Sequence, residues 1–228
     1  GVSELINLCM QALLDSGDEI LIPSPDYPLW TACATLAGGT PVHYICDEQA
    51  DWYPDIDDMR AKITSRTKAI VIINPNNPTG ATVSREQLGL WVDYAHKHQA
   101  LILFDAAYEA FIRDERLPHT IYEIPGAREV AIEFRSFSKS AGFTGTRCAY
   151  TVVPRDCRAW DAAGREQSLH GLWNRRHSTK FNGVSYPVQR AAEAVYSREG
   201  QAQCRALIDG YLENARLIGE ALDELGYQ

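Results

Sequence analysis

No apolar run in this 228-residue sequence approaches the roughly 20 residues that a helix needs to span a bilayer. Positive charge is also scarce, because 22 lysine and arginine residues stand against 30 aspartate and glutamate residues, for a net charge of −8. This balance argues against binding to nucleic acid or to an anionic membrane through bulk electrostatics. The sequence also lacks internal repeats, low-complexity segments and linkers, which predicts one large domain.

The six cysteines include no C-x-x-C pair, and the sequence shows no metal-ligand spacing. Most of the cysteines lie in apolar runs, where a free cysteine behaves as a small hydrophobic residue. We therefore predict reduced thiols, no metal site and a cytoplasmic location.

The two ends of the sequence lack the features of natural termini. The first residues are typical of a helix start, and they include neither an initiator methionine nor a signal peptide. The last residues follow directly on a long amphipathic pattern, with Gly226 where a further element would begin. We expect residues 1–228 to be an internal piece of a longer protein.

Strand-like and helix-like patterns alternate along the chain with short connections. The strand patterns cover residues 19–23, 41–46, 68–73, 100–104, 130–134 and 148–153. The helical patterns cover residues 3–14, 29–36, 55–63, 84–98, 155–167, 188–196 and 201–225. This alternation predicts an α/β fold with a mostly parallel sheet sandwiched by helices.

Polar residues stand where several of the predicted strands end. Asn77 follows strand 68–73, Asp105 and Tyr108 follow strand 100–104, and Lys139 follows strand 130–134. Ligands of open α/β sheets bind beyond the carboxyl ends of the strands. We therefore expect these side chains to share one pocket.

Lys139 stands in the run Ser136-Phe137-Ser138-Lys139, in a turn rich in hydroxyl groups. A lysine in this setting can form a Schiff base with a carbonyl compound, whereas most single loop lysines are solvated surface charges. Ser136, Ser138 and Arg147 are suited to hold a phosphate dianion. The helix start at Gly1, Val2 and Ser3 would add backbone N–H groups and a positive dipole end to that site.

Asp105 directly follows an apolar strand and should be at least half buried, so it needs a cationic partner. The protonated ring nitrogen of a pyridoxal group is one such partner, while an N-cap of a helix at 106–110 is the alternative. Tyr108 and Asn77 could hydrogen-bond the phenolic oxygen of that ring. Tyr27, in a turn fixed by two prolines, could stack on the ring or serve as a plain core or rim aromatic.

Three motifs together resemble one known family. The loop N-P-N-N-P-T-G, the turn D-A-A-Y and the run S-F-S-K-x-A-G-F-T-G-x-R are similar to the large domain of fold type I, class I/II pyridoxal-phosphate aminotransferases. The resemblance implies that Lys139 carries pyridoxal 5'-phosphate covalently and that Asp105 pairs with its pyridine nitrogen. It implies these further contacts: Asn77 and Tyr108 on the phenolic oxygen, Tyr27 on the ring, and Gly1, Val2, Ser3, Ser136, Ser138 and Arg147 on the phosphate.

The two halves of the sequence resemble different members of this family. The second half, from about residue 101, is similar to LL-diaminopimelate aminotransferase, and the first hundred residues are similar to bacterial alanine-type aminotransferases. The resemblance implies a homodimer whose active sites form between subunits. Asn182, in K-F-N-G, is similar to a residue that reaches the substrate site of the neighbouring subunit.

The implied reaction is a ping-pong transamination between an amino acid and a 2-oxo acid, with Lys139 as general base. LL-diaminopimelate is the favoured donor and alanine the runner-up. Another pyridoxal-phosphate reaction, such as β-elimination or decarboxylation, and a non-catalytic sensing domain of a transcription regulator are the alternatives. Because the family's substrate-carboxylate arginine would lie beyond residue 228, we expect this piece alone to be inactive.

Overall fold

The computed structural model describes residues 1–161 and 163–227. The helices of this range are α1 (Val2–Leu13), α2 (Leu29–Leu36), α3 (Ile56–Lys62), α4 (Arg85–His98), α5 (Ala127–Val130), α6 (Phe137–Ser140), α7 (Leu169–Lys180), α8 (Tyr186–Val195) and α9 (Arg198–Glu224). The strands are β1 (Glu19–Ser24), β2 (Thr40–Asp47), β3 (Tyr53–Pro54), β4 (Thr67–Ile73), β5 (Leu101–Asp105), β6 (Ala131–Ser136), β7 (Ala149–Val152), β8 (Arg158–Trp160) and β9 (Glu166–Ser168).

Seven of these strands form one sheet in the order β3-β2-β1-β4-β5-β6-β7. The four inner pairs from β2 to β6 are parallel, and the two outermost pairs are antiparallel. The chain moves outward from β1 to β2 and then returns to β4 on the other side of β1. The sheet therefore has its switch point between β1 and β4 and confirms the predicted mostly parallel α/β fold.

The central strands are apolar on both faces because helices cover both sides of the sheet. Along β4, Val71 and Ile73 face a core that contains α1 and α2, whereas Ile70 and Ile72 face a second core with α3 and α4. Alternate residues of one strand point to opposite faces, so a continuous β-branched run fills both cores. A strand that is apolar on both faces fits only the interior of a sheet that helices cover on both sides.

Local capping signals start several helices where the sequence predicts them. Ser84 accepts a hydrogen bond from the Gln87 backbone N–H, and the Gln87 side chain accepts one from the Ser84 backbone N–H. The carboxylate of Asp55 likewise accepts hydrogen bonds from the first turn of α3. These caps satisfy N–H groups that have no partner within a helix, which sets the helix starts.

The predicted helix at 155–167 is wrong, because this segment forms the antiparallel hairpin β8–β9. Its turn is fixed by the Asp161 carboxylate, which accepts hydrogen bonds from the backbone N–H groups of Ala163 and Arg165. Gly164 supplies a positive φ of 72° in the same turn. The hydrogen bonds and the glycine of the turn therefore determine the structure of this segment, despite its weak helical pattern.

Helix α7 is absent from the sequence prediction because its surface gives little apolar periodicity. Among its residues only Leu169 is buried, and its second half is almost wholly polar. Ser168 caps it by accepting a hydrogen bond from the Gly171 backbone N–H at 3.4 Å. A helix with so small a buried face has no hydrophobic stripe for the sequence to show.

The six cysteines are free, and five of them are buried. Burial raises the pKa of the Cys46 thiol to about 11, so this thiol stays protonated at neutral pH. None of the helices described in the structure is both long enough and apolar enough to cross a membrane.

Candidate active site

The carboxyl ends of β1, β4, β5 and β6 border one pocket of about 260 Å³ at the switch point of the sheet. The pocket is lined by Val2, Ser3, Tyr27, Ile73, Asn77, Asp105, Ala107, Tyr108, Ser136, Ser138, Lys139, Thr144 and Arg147. Ten of the twelve site residues predicted from the sequence are therefore brought together here. An eleventh, Gly1, lies against the Arg147 guanidinium.

Lys139 lies on α6, a single helical turn that follows β6 directly. Ser136 caps this turn, since its hydroxyl accepts a hydrogen bond from the Ser138 backbone N–H at 3.2 Å. The Lys139 side chain is half-buried, and its Nζ lies 5.5 Å from the centre of the Tyr108 ring. The amine thus faces the pocket and not open solvent, which argues against the alternative of a solvated surface charge.

Asp105 is the last residue of β5 and is only 3% exposed. Its carboxylate accepts hydrogen bonds at 3.1 Å from the Trp30 indole Nε1–H and from the Ala107 backbone N–H. Burial raises the pKa of this carboxyl, although both hydrogen bonds favour the charged form. Among the described residues, no lysine, arginine or histidine forms an ion pair with Asp105. A cation bound in the pocket would therefore be the partner of this carboxylate.

The alternative reading of Asp105 as the N-cap of a helix at 106–110 is wrong. The segment after β5 is a turn, and the short 3-10 helix Glu109–Phe111 begins only after Tyr108. Asp105 instead closes a tight turn through its bond to Ala107. This turn places Tyr108 at the pocket wall, opposite Lys139.

Trp30, on α2, is a functional residue that the sequence reasoning missed. Its indole is fully buried and packs edge-on against Phe134 with ring centres 5.4 Å apart. A buried indole N–H must find an acceptor, and the one it finds is Asp105. A tryptophan one helical turn after Tyr27, in a predicted buried helix, was the available signal.

Basic and backbone groups converge at the other end of the pocket. The Gly1 nitrogen donates to the Arg147 carbonyl at 2.9 Å, which brings the start of α1 against the residues before β7. The Arg147 Nη1 donates to the Thr144 carbonyl at 2.7 Å, and the Thr144 hydroxyl donates to the Ser138 carbonyl at 3.1 Å. A Cβ at position 1 would stand 2.5 Å from the Arg147 Nη2, so a residue other than glycine would push the guanidinium aside.

Tyr27 and Asn77 lie on opposite sides of the switch point. Tyr27 lines the pocket and also packs against the core beneath α1 and α2. Asn77 lies in the loop after β4, which is pinned by hydrogen bonds from the Thr79 N–H and hydroxyl to the Asn76 side chain. The Asn74 backbone N–H ties the same loop to the Asp105 carbonyl at 2.9 Å.

Asn182 is the one predicted site residue that lies outside this pocket. It stands after α7 with a φ of 64° and lines a separate pocket with Phe181 and Gly183. It therefore does not take part in the site formed by the other residues of its own chain.

The arrangement is suited to a flat basic ring that carries a phosphate. Arg147 and the α1 start attract an anion at one end, and the buried Asp105 carboxylate attracts a proton-bearing group at the other. The Lys139 amine lines the same pocket, with Tyr108 beside it. Such a pocket can hold a carbonyl compound covalently and move a proton at the atom that the amine reaches.

Comparison with known proteins agrees with this chemistry. The profile of the family "Aminotransferase class I and II" matches residues 1–228. The LL-diaminopimelate aminotransferase of Desulforapulum autotrophicum is 55% identical over 227 residues, which cover 95% of this chain and 54% of the relative. The chain thus spans about half the length of the curated relatives it matches.

Solved structures show the same similarity. The L,L-diaminopimelate aminotransferase of Chlamydomonas reinhardtii superposes with a TM-score of 0.88 at 35% identity, covering 100% of this chain and 56% of that one. An alanine aminotransferase from Pyrococcus furiosus superposes with a TM-score of 0.82 at 32% identity, covering 98% of this chain and 55% of that one.

Proposed function

Since this chain belongs to the class I and II aminotransferase family, we propose that it forms the cofactor-binding part of an enzyme that transfers an amino group from an amino acid to a 2-oxo acid. The observation that supports this most directly is the single pocket that Lys139, Asp105 and Arg147 share. Residues from four strand ends and the start of one helix supply an amine, a buried acid and an anion cradle there. This combination is what transamination with pyridoxal 5'-phosphate requires.

The residues present fit that cofactor, as the buried carboxylate and the close approach of Gly1 to the Arg147 guanidinium indicate. Lys139 would hold the cofactor aldehyde, Asp105 would hold the proton on the pyridine nitrogen, and Tyr27 would stack on the ring. Asn77 and Tyr108 would hydrogen-bond the phenolic oxygen. The phosphate would be held by Gly1, Val2, Ser3, Ser136, Ser138 and Arg147.

The bound cofactor would supply an electron-withdrawing ring that takes up negative charge from the substrate Cα. Lys139 would act as general base, because its amine can take up and return a proton at the substrate Cα. Asp105 would hold the proton on the ring nitrogen, since a buried carboxylate without another cation stabilises a positive charge beside it. A positioned base of this kind contributes roughly 10²- to 10⁴-fold in rate.

LL-diaminopimelate is the proposed amino donor, with 2-oxoglutarate as acceptor, which places the enzyme in lysine biosynthesis. The support is the 55% identity to a relative named for this activity and the TM-score of 0.88 to a structure of the same name. Alanine is the second candidate, because an alanine aminotransferase superposes with a TM-score of 0.82 over 98% of the chain. Its lower identity of 32% makes it the runner-up.

We further propose that residues 1–228 are the large domain of the family fold, with its N-terminal arm and C-terminal small domain lying outside them. The enzyme would work as a homodimer in which Asn182 reaches the partner's substrate site, consistent with its position away from its own pocket. A cytoplasmic location is proposed because the six cysteines are free thiols, which persist in a reducing compartment.

The cofactor proposal is tested by the visible absorption of the chain with pyridoxal 5'-phosphate, before and after borohydride reduction. Wild type should gain a band and keep the cofactor covalently after reduction, whereas Lys139→Ala should keep none. Lys97→Ala, which removes an exposed lysine of α4, is the matched control and should behave as wild type. Equal retention by all three proteins would contradict the assignment of Lys139.

The donor is tested on the protein at the full length of its relatives. Amino transfer to 2-oxoglutarate should be faster from LL-diaminopimelate than from alanine at equal concentration. A clear preference for alanine would overturn the favoured donor and leave the aminotransferase proposal standing. Release of ammonia or carbon dioxide without glutamate formation would contradict transamination itself.

A further inference from the structure

A largely buried ion-pair network adjoins the turn that carries Tyr108. The Nη1 of Arg135 lies 2.9 Å from Glu109 Oε1, and its Nε lies 2.6 Å from Glu133 Oε1. Its Nη2 donates to the His119 carbonyl at 2.7 Å. Burial alone would lower the pKa of Arg135, but the carboxylates of Glu133 and Glu109 outweigh it and raise the pKa. The guanidinium is therefore a permanent cation held between two carboxylates.

Glu109 and Arg135 each stand next to a residue of the candidate active site in the sequence. Glu109 directly follows Tyr108, and Arg135 directly precedes Ser136, four residues before Lys139. The Ala106 backbone N–H still bonds to the Phe134 carbonyl at 3.0 Å. Beyond that point, none of the backbone hydrogen bonds that the structure describes joins the two segments. The Arg135–Glu109 ion pair joins the two segments there.

We infer that Arg135 and Glu109 are positioning residues that hold the turn of Tyr108 against the strand end that carries Lys139. The pair fixes the separation of the phenol and the amine, with Lys139 Nζ 5.5 Å from the Tyr108 ring centre. This inference rests on the proposed function, in which Tyr108 acts on the phenolic oxygen of the cofactor. If the turn can move, the Tyr108 hydroxyl shifts from its position, although every group of the pocket is still present.

Glu109 is the informative residue to change. Removal of Arg135 would leave Glu133, with a side chain only 3% exposed, without its cation and could unfold the chain. The Glu109 side chain is 25% exposed, so Glu109→Gln keeps the shape and leaves the Arg135–Glu133 pair intact. The other charged or titratable groups near the network are His119, Tyr150 and Tyr196, and those near Tyr108 are Lys139 and Asp105.

Glu123→Gln is the matched control. Glu123 has a side chain 29% exposed and pairs with an arginine, Arg85, but it belongs to the next 3-10 helix and does not line the pocket. An effect of losing any ion pair should therefore appear in both variants. An effect of losing the link between the Tyr108 turn and the strand end that carries Lys139 should appear only in Glu109→Gln.

Two measurements on this chain test the inference. The first is hydrogen exchange of backbone amides 106–111 without cofactor, which we expect to be about tenfold faster in Glu109→Gln. The second is the pH midpoint of the visible band given by bound pyridoxal 5'-phosphate. We expect this midpoint to rise by about one pH unit, because a weaker hydrogen bond to the phenolic oxygen disfavours the deprotonated form. Arg135→Lys, which keeps the charge and loses the forked contact, should fall between wild type and Glu109→Gln.

The outcomes separate the two proposals. An unchanged band midpoint in Glu109→Gln, with or without faster exchange, would reduce the pair to a structural ion pair and overturn the inference. Equal changes in Glu123→Gln would do the same. If wild type gives no band with pyridoxal 5'-phosphate, the proposed function itself fails and the inference falls with it.

Discussion

At the scale of single residues, the carboxyl group of Asp105 affects both the stability of the fold and the proposed chemistry of the site. It is 3% exposed, and burial raises its pKa from the ordinary value of 3.8. An acid whose pKa is raised by folding stabilises the fold fully below its unfolded pKa, and this contribution is lost as pH rises through the folded pKa. Without cofactor, the wild type should therefore lose stability relative to Asp105→Asn as pH rises from about 4 towards neutral.

Urea denaturation of both cofactor-free proteins over this pH range checks the prediction. The difference in free energy of unfolding, wild type minus Asp105→Asn, should fall as pH rises. A difference that stays constant or increases with pH would show that folding does not raise the pKa of this group. Addition of pyridoxal 5'-phosphate should favour the wild type at pH 7, because only a carboxylate compensates the protonated ring.

Sequence reasoning identified several residues of the candidate site but did not identify Trp30. The strand ends identified Asn77, Asp105 and Lys139, since a polar residue after an apolar run is visible in the sequence. Trp30 was not identified, because a tryptophan in an apolar helix carries no sign of a polar contact. Its bond to Asp105 depends on how α2 lies on the sheet, which only tertiary packing decides.

At the scale of elements, the start of α4 offers a clean measurement. Ser84→Ala removes the hydroxyl that accepts from the Gln87 backbone N–H and leaves that donor without a partner. We expect the free energy of unfolding to fall by about 1 kcal/mol. The control is Ser65→Ala, at an exposed serine for which the described residues give no side-chain hydrogen bond. Equal values for the two variants in urea denaturation would contradict the contribution of the cap.

The helix predicted at 84–98 is confirmed as Arg85–His98. The Ser84 capping box begins it, and Leu88, Trp91, Val92 and Ala95 are its buried residues. The segment 155–167 offered only a vague pattern, and the hydrogen bonds of Asp161 turned it into a hairpin. Helix α7 buries only Leu169 among its residues, so hydrophobic periodicity could not reveal it.

At the scale of the whole molecule, the site exists because the sheet gathers residues from distant parts of the chain. Strands β1, β4, β5 and β6 end at one edge, and β7 runs antiparallel to β6, so the residues before it start at that same edge. This topology explains why Arg147 meets the start of α1 although 146 residues separate it from Gly1. The mostly parallel sheet was predicted from the alternation of strands and helices, whereas the strand order and this contact were not.

The proposed homodimer gives a prediction at the same scale. Leu172, on α7, is 53% exposed beside a pocket of about 550 Å³ that Leu13, Leu169 and Trp173 also line. A second copy would cover this surface, because adjoining exposed apolar residues mark an interaction site more than a single exposed leucine does. Leu172→Glu places a charge there and should weaken self-association at least tenfold. Leu90→Glu, at a leucine 58% exposed on α4, is the control and should associate as wild type does.

Sedimentation equilibrium of the chain checks this prediction. A dimer that dissociates only in Leu172→Glu would identify α7 as part of the subunit interface, and Asn182, two residues after α7, would then lie near the partner subunit. If Leu172→Glu associates like wild type, the interface lies elsewhere, and the proposed role of Asn182 loses its physical basis. Equal weakening by Leu90→Glu would instead indicate a general effect of added negative charge on a chain that already carries a net charge of −8.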